Sequence, residues 1–196
     1  MLNTNGLVPA AMVTLLLLGS GAVMSDVIKG KLLYAFEEKD EFDEWQVVND
    51  TVMGGVSNAT FKPSDEGTAV FSGTVSLENN GGFASARSKP AEFGLDAHIG
   101  LAVRVRGDGK RYKLGLRQDG RWDGVMYQAP FKTKEGEWIV VKVPFERFQP
   151  TYHGRVLDNV PKAQATQLRS VGFLISDMQA GPFRLQIDWI KAYGGN

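Results

Sequence analysis

The sequence predicts an all-β protein, an antiparallel β-sandwich or barrel, and three observations support this class. From Lys31 onward, apolar and polar residues mostly alternate with a period of two, the pattern of half-buried strands. Turn residues separate these short runs at regular intervals, as in sandwiches and barrels. No long segment after the N-terminal region carries apolar residues at helical spacing.

The first half of this pattern predicts four strands. A strand is expected at 59–62. The next, in "GTAVFSGTVSLE", places on one face Ala69, Phe71, Gly73, Val75 and Leu77. Two more runs, "GLAVRVRG" and "RYKLGLRQ", alternate in the same way and flank "GDGK" at 107–110. Because Asp-Gly between alternating runs is a strong hairpin signal, these two strands are predicted to pair with each other.

The second half predicts further strands at 125–131, 139–143, 171–175 and 183–189. In the last of these, one face carries Phe183, Leu185, Ile187 and Trp189. A sandwich core needs large aromatic side chains, so Trp138 and Trp189 are expected to be buried. Two short segments, 40–45 and 161–169, are candidates for single helical turns.

The first 25 residues are predicted to be separate from the sandwich domain, which takes residues 26–196. Residues 7–24 carry no charge and end in small side chains, which favours a secretory signal peptide with its apolar core at 13–18. An uncleaved membrane anchor and a buried helix are the alternatives. The protein is therefore expected to be exported, periplasmic or secreted, or tethered, with membrane contact only through this segment.

Composition excludes several function classes. The net charge is zero and no run of Lys or Arg occurs, so nucleic acid is not an expected partner. The chain has no Cys, and its two histidines, His98 and His153, lack carboxylates at ligand spacing, so neither a metal nor a cofactor is predicted. A structural Ca²⁺ held by Asp oxygens stays open.

Catalytic signatures are also missing from the sequence. There is no G-x-S-x-G elbow and no nucleotide-binding glycine loop. The acidic cluster at 37–44 has the composition of a solvated face. The chain is therefore predicted not to be an enzyme.

Aromatic and basic residues offer a candidate binding surface. This candidate surface combines the guanidinium groups of Arg87 and Arg117 with the aromatic side chains of Trp45, Trp122, Tyr127, Trp138 and Tyr152. Such side chains stack on sugar rings and also anchor protein interfaces. Trp122 lies in the loop "QDGRWDG", which favours an exposed position.

The segment "WQVVNDTVMGGVSNATF", 45–61, has two interpretations. Gly54 and Gly55 allow positive φ, and Asn49 and Asp50 can fix a turn through backbone hydrogen bonds, which favours a structured turn. The alternative is a ligand loop that exposes Asn49, Asp50 and Ser57.

The same segment closely resembles the signature of the complex I intermediate-associated protein 30 family. Four further motifs follow in order: "FSGTVSLENNGGFASAR", "VRGDGKRY", "WIVVKVPF" and "GPFRLQIDWI". The resemblance spans about residues 33–193. It implies a galactose-binding-domain-like β-sandwich of jelly-roll type. It also implies an assembly factor for NADH:ubiquinone oxidoreductase that acts by binding assembly intermediates, without established catalytic residues.

The predicted function is a non-catalytic binding module with a protein partner, which the resemblance extends to respiratory-complex subunits; the alternative is a carbohydrate-binding protein of the cell envelope. The candidate partner or ligand residues are Trp45, Asn49, Asp50, Met53, Gly54, Gly55, Ser57, Arg87, Arg117, Trp122 and Tyr127. The family motif also covers Gly81, Gly82 and Phe83. Named members are organellar with Arg-rich leaders, whereas this N-terminus has no Arg, which favours export.

Overall fold

Two antiparallel β-sheets make up the chain over the residues that the computed structural model describes, 28–121 and 123–195. The strands are β1 (Lys31–Tyr34), β2 (Trp45–Asn49), β3 (Asn58–Pro63), β4 (Ala69–Val75), β5 (Ala84–Ser88), β6 (His98–Arg106), β7 (Arg111–Arg117), β8 (Met126–Lys132), β9 (Trp138–Pro144), β10 (Gln149–Tyr152), β11 (Arg155–Val156), β12 (Ser170–Ile175) and β13 (Gly181–Gly194). Short 3-10 helices cover Lys39–Glu44, Asp50–Met53, Glu78–Asn80, Phe145–Arg147 and Ala165–Gln167. The predicted all-β antiparallel fold is confirmed.

The strands divide between a six-stranded and a seven-stranded sheet. The six-stranded sheet has the order β3-β4-β13-β6-β9, and β1 pairs with β13 as well. The seven-stranded sheet has the order β11-β10-β8-β7-β12-β5-β2. Every strand pair within the two sheets is antiparallel.

The core lies between the facing sides of the two sheets, where the period-two pattern places one apolar residue in every two. Phe71 and Val103 come from the six-stranded sheet, and Leu114 and Phe173 come from the seven-stranded sheet. Each such buried side chain contributes about 1.5–3 kcal/mol of transfer free energy, which is why the alternating runs form strands with their apolar sides turned inward.

The predicted hairpin at 107–110 is wrong. Strand β6 pairs with β9 and β13, whereas β7 pairs with β8 and β12, so the two strands belong to different sheets. Both strands present apolar residues to the same core from opposite sides, and the turn therefore crosses from one sheet to the other. Asp108 stabilises this corner, because its carboxylate accepts hydrogen bonds from the Tyr112 hydroxyl at 2.9 Å and from the Arg184 N–H at 2.9 Å.

The predicted burial of Trp138 and Trp189 is also wrong, since both are only half-buried. On β9 the residues at 139, 141 and 143 pack towards the core, so Trp138 faces outward. There its ring lies 4.5 Å and 4.9 Å from the guanidinium carbons of Arg104 and Arg106. On β13 the register against β6 shifts between Ile187 and Trp189. This bulge turns Ile190 inward in place of Trp189.

The two helical candidates form 3-10 turns rather than α-helix. The first, predicted at 40–45, is a 3-10 helix over Lys39–Glu44. Within 161–169 only Ala165–Gln167 is helical, because backbone groups there bond to neighbouring segments: the Arg169 N–H donates to Arg117 O, and the Ala91 N–H to Arg169 O.

The predicted leader, 1–25, lies outside the described residues. Over the part of the chain that is described, no helix has the length and apolar character to cross a membrane.

Candidate functional site

Two neighbouring loops, 49–57 and 76–83, meet at the buried carboxylate of Asp50, and we call them the Asp50 knot. Asp50 is 0% exposed. Its Oδ1 accepts a hydrogen bond from the Ser57 N–H at 2.9 Å. Its Oδ2 accepts from the Ser57 hydroxyl at 2.5 Å, the Gly82 N–H at 2.6 Å and the Phe83 N–H at 3.2 Å. One side chain thus joins the first family motif to the second.

Two further contacts fasten the loops to each other. The Ser57 hydroxyl oxygen accepts from the Ser76 N–H at 2.9 Å, and the Asn79 amide donates to the Gly54 carbonyl at 3.2 Å. Buried polar groups need hydrogen-bond partners. Because each of these bonds runs from one loop to the other, together they fix both loop backbones in one geometry.

The glycines of the motif are required for two different reasons. Gly54 ends the 3-10 helix Asp50–Met53 with φ of 90°, a left-handed conformation that glycine adopts without a steric penalty. Gly55 has no positive φ, but a Cβ there would lie 2.4 Å from the Asp50 carboxylate. The same close approach explains Gly81, whose Cβ would lie 2.6 Å from Asp50 Oδ2.

Opposing effects set the pKa of Asp50. Burial penalises the charged form and would raise the pKa, but the hydrogen bonds from Ser57, Gly82 and Phe83 stabilise the carboxylate and outweigh that penalty. The net result is a pKa below the ordinary value for aspartate. At neutral pH this group is a carboxylate whose oxygens are already occupied by donors of the fold.

Trp45 anchors the start of β2 in the core. Its ring stacks on Phe61 of β3 with 4.5 Å between centroids, and lies 5.5 Å from Phe36 and 6.2 Å from Phe173. Asn49, at the end of β2, is half-buried, and its Oδ1 has no hydrogen-bond partner among the described residues. The burial of Asp50 and Ser57 contradicts the exposed ligand loop and favours the structured turn.

Apolar side chains project from this rigid turn into solvent. Val52 is 63% exposed and Met53 58%, and Val56 and Leu77 are also exposed in the same two loops. We call these four residues the apolar tip. Leu77 belongs to the second loop, and its Cδ2 would lie 3.2 Å from a Cβ at Gly82. Of the predicted site residues, Met53 is the one whose large apolar side chain the knot presents outward.

Arg87 and Arg117 come together on the outer face of the seven-stranded sheet, as expected for a shared binding surface. They line a small surface pocket of about 90 Å³, which we call the arginine pocket. Its wall also includes Gln46, Asp119, Arg121 and Ser170. A second, shallower depression continues from it along the sheet over Gly115 and Gly172.

Burial dominates the electrostatics of the two arginines. Burial and, to a smaller degree, the neighbouring charge of Arg117 together lower the pKa of Arg87 to about 10. Burial lowers the pKa of Arg117 as well. Both groups remain cationic at neutral pH. One Arg117 nitrogen donates to the Gly124 carbonyl at 2.6 Å, while its buried Nε has no hydrogen-bond partner among the described residues.

Two other aromatic candidates, Tyr127 and Tyr152, do not line this pocket. Tyr127 faces the core, and its hydroxyl donates to the Pro161 carbonyl at 3.1 Å. Trp122 lies outside the described residues. Tyr152 is exposed, and its hydroxyl donates to Asp123 beside His153. Tyr127 therefore contributes nothing to an exposed aromatic surface on which a sugar could stack.

Sequence reasoning missed several residues of both sites. Arg121 and Ser170 reach the pocket because strand order brings β7 and β12 side by side, which no local pattern reveals. Val52 lies inside the family motif, next to Met53, and this position is the signal that could have identified it as a site residue. Across 28–121 and 123–195, no group of three His, Cys, Asp or Glu side chains has the geometry to hold a metal ion.

Comparison with known proteins gives one family. The model of the complex I intermediate-associated protein 30 family matches residues 34–187. A mouse relative, "Complex I intermediate-associated protein 30, mitochondrial", is 30% identical over 88% of this chain and 60% of its own length. A Caenorhabditis elegans relative, described as a probable protein of the same name, is 31% identical over 82% of this chain and 53% of its own. The chain thus spans a little over half the length of these relatives.

Solved structures support the fold. The family 11 carbohydrate-binding module of a cellulosomal cellulase from Clostridium thermocellum superimposes with a TM-score of 0.67 at 15% identity. The match covers 86% of this chain and 96% of that module. At this identity the similarity establishes the β-sandwich fold alone, of the predicted galactose-binding-like, jelly-roll type.

The predicted export of the chain is contradicted by these relatives. Proteins from mouse, Caenorhabditis elegans, Drosophila melanogaster and Neurospora crassa that match it are all named as mitochondrial. The uncharged apolar run at 7–24, together with the absence of Arg from the N-terminus, favoured a periplasmic, secreted or envelope-tethered protein. That inference from the leader was wrong, because a leader's composition is weaker information than similarity over the domain itself.

Proposed function

Because this chain belongs to the complex I intermediate-associated protein 30 family, we propose that it is a non-catalytic binding module for a protein partner in respiratory complex I assembly. The partner is a subunit of an intermediate of NADH:ubiquinone oxidoreductase. The setting is mitochondrial, as the names of its relatives indicate.

The observation that carries this proposal is the apolar tip on the Asp50 knot. Large apolar side chains that remain exposed on a rigid support are typical of protein interfaces. Here the support is rigid because four hydrogen bonds to Asp50 hold both loops. A pre-ordered loop also loses little conformational entropy when a partner binds, which favours affinity.

The same geometry supports a role without catalysis. Asp50 is the carboxylate at the centre of the family motif, yet its oxygens are buried and occupied by hydrogen-bond donors of the fold. A general base must reach a proton on a substrate, and this carboxylate has neither exposure nor a vacant position. The motif therefore serves to shape the tip.

The test is cross-linking and purification of the tagged full chain from cells that assemble complex I, with captured subunits quantified by mass spectrometry. Met53→Asp and Val52→Asp place a charge on the tip without altering the Asp50 hydrogen bonds. Val156→Asp is the matched control, because Val156 is 56% exposed and lies on β11, at the opposite edge of the seven-stranded sheet from β2 and β5.

We expect wild type and Val156→Asp to recover complex I subunits equally, and the tip variants to recover about tenfold less, as for an interface hot spot. Recovery of no complex I subunit with wild type would refute the assembly role. Equal recovery with Met53→Asp and Val52→Asp would remove the tip as the contact surface.

A further inference from the structure

We propose that the arginine pocket is a binding site for a compact anionic group, a phosphate or a carboxylate. This site lies on the outer face of the seven-stranded sheet. It is separate from the apolar tip and does not depend on the proposed assembly role.

Strand register brings the two arginines to opposite sides of β12. Arg117 of β7 pairs with Ser170 of β12, and Arg87 of β5 pairs with Gly172 of β12. Strands two apart in a sheet are separated by about 10 Å, which two arginine side chains can bridge from either side. The β12 residues between them, Ser170 and Gly172, are small, so a space remains above the strand.

The pocket is positively charged. Three guanidinium groups line it, those of Arg87, Arg117 and Arg121, against one carboxylate, that of Asp119. Asp119 forms its ion pair with Arg121 at 2.8 Å. The next acid along the loop, Asp123, lies outside the pocket wall and bonds to His153 at 3.0 Å, and its charge offsets part of the positive charge of Arg87 and Arg117 from a distance. Within residues 28–121 and 123–195, no carboxylate forms a hydrogen bond or an ion pair with Arg117.

A purely structural role of Arg117 explains only part of the way its guanidinium is placed. The bond from Arg117 to the Gly124 carbonyl holds the loop after β7 and uses one terminal nitrogen. The buried Nε of the same guanidinium has no partner among the described residues. Leaving a charged donor buried and unsatisfied is costly, and placing Arg87 beside it adds like-charge repulsion. An anion offsets both effects, because a guanidinium presents parallel N–H groups that match phosphate and carboxylate oxygens.

Neutral groups complete the wall. The side chains of Gln46 and Ser170 line the pocket and form no other side-chain hydrogen bond among the described residues. A hydroxyl and an amide beside guanidinium groups are suited to the outer oxygens of a tetrahedral or planar anion.

The test is a titration of the purified full chain followed by the NMR signals of the arginine Nε–H groups. Inorganic phosphate is the probe in one arm and succinate in the other, at constant ionic strength maintained with chloride. We expect one or both probes to shift the Arg117 Nε–H signal in a saturable way, with a dissociation constant on the order of 1 mM. Saturation by phosphate alone identifies a phosphate site, and saturation by succinate alone identifies a carboxylate site.

Two pocket variants and one control make the result specific. Arg117→Lys keeps the charge but loses the planar fork, and Arg121→Gln removes a charge from an exposed rim position where the fold does not depend on it. Arg184→Gln is the control, because Arg184 is exposed on the six-stranded sheet. Each pocket variant should weaken binding about tenfold, and the control should not. Val52→Asp should also leave anion affinity unchanged, which separates this test from that of the assembly role.

A signal that does not saturate with either probe would overturn the proposal. The proposal would also fail if Arg184→Gln weakened binding as much as Arg121→Gln, since the effect would then reflect overall charge.

Discussion

Replacing Asp50 with asparagine tests the central claim that a buried carboxylate organises the family motif. The substitution keeps the size of the side chain but replaces one acceptor oxygen with an NH₂ donor. If that nitrogen takes the Oδ2 position, it faces the N–H groups of Gly82 and Phe83. If it takes the Oδ1 position, it faces the N–H group of Ser57 alone. Every orientation therefore opposes at least one buried donor with another.

The expected loss follows from the better orientation. One buried N–H left without an acceptor costs about 1–3 kcal/mol. The remaining bonds lose the added strength of a charged acceptor, since charge-assisted hydrogen bonds are roughly twice as strong as neutral ones. Together these effects lower the free energy of unfolding by about 3 kcal/mol. For a chain of 196 residues that corresponds to a fall in melting temperature of roughly 6–12 °C.

Urea unfolding followed by tryptophan fluorescence measures this loss, because Trp45 is buried and should respond to unfolding. Asp65→Asn is the matched control, since Asp65 is exposed and forms no side-chain hydrogen bond among the described residues. The control should stay within about 0.5 kcal/mol of wild type. If Asp50→Asn also stayed within that margin, the carboxylate would not hold the loops together and the reasoning would be refuted.

Three further outcomes follow from the same region. Hydrogen bonding lowers the pKa of Asp50 in the folded protein. The contribution of the carboxylate to the free energy of unfolding is therefore full above the ordinary aspartate pKa of about 3.9, and it is lost as the pH falls through the lower folded value. In urea titrations, the difference in stability between wild type and Asp50→Asn should shrink over that range. Gly55→Ala should lower the free energy of unfolding by at least about 2 kcal/mol, because the added Cβ meets the Asp50 carboxylate. Gly54→Ala should lower it by about 1–2 kcal/mol through strain at positive φ. Equal and negligible losses in the two variants would contradict both explanations. Trp45→Ala should cost about 3–5 kcal/mol by removing the stack on Phe61, and a loss under 1 kcal/mol would show that the stack is dispensable.

The sequence predicted the strands well because alternation is a local signal. The inward faces of β4, β6 and β7 follow from residues two apart in the chain. The predicted pairing of β6 with β7 failed because the Asp-Gly signal describes a turn and not the sheet to which the next strand belongs. Trp189 was wrongly predicted to face the core. The bulge adds one residue to β13, so the residues after it face the opposite side of the sheet from the one that alternation predicts.

The candidate sites depended on contacts between distant parts of the chain. The burial of Asp50 rests on partners 32 and 33 residues away, and nothing in the local motif distinguishes a buried carboxylate from an exposed one. Arg87 and Arg117 were singled out by residue type alone, and only strand order brought them to one pocket. Tyr127 shows the opposite case, since the same criterion selected a core residue.

The long strand β13 has a consequence for the order in which the protein is made. It is the shared neighbour of β1, β4 and β6, all of which precede it in the chain. While a ribosome is still synthesising residues before Gly181, β4 and β6 have no partner for the edge that β13 later occupies. Unpaired edges of this kind invite association with other chains. The six-stranded sheet can therefore close only after translation has passed Gly194, and until then the edges of β4 and β6 stay open to such association.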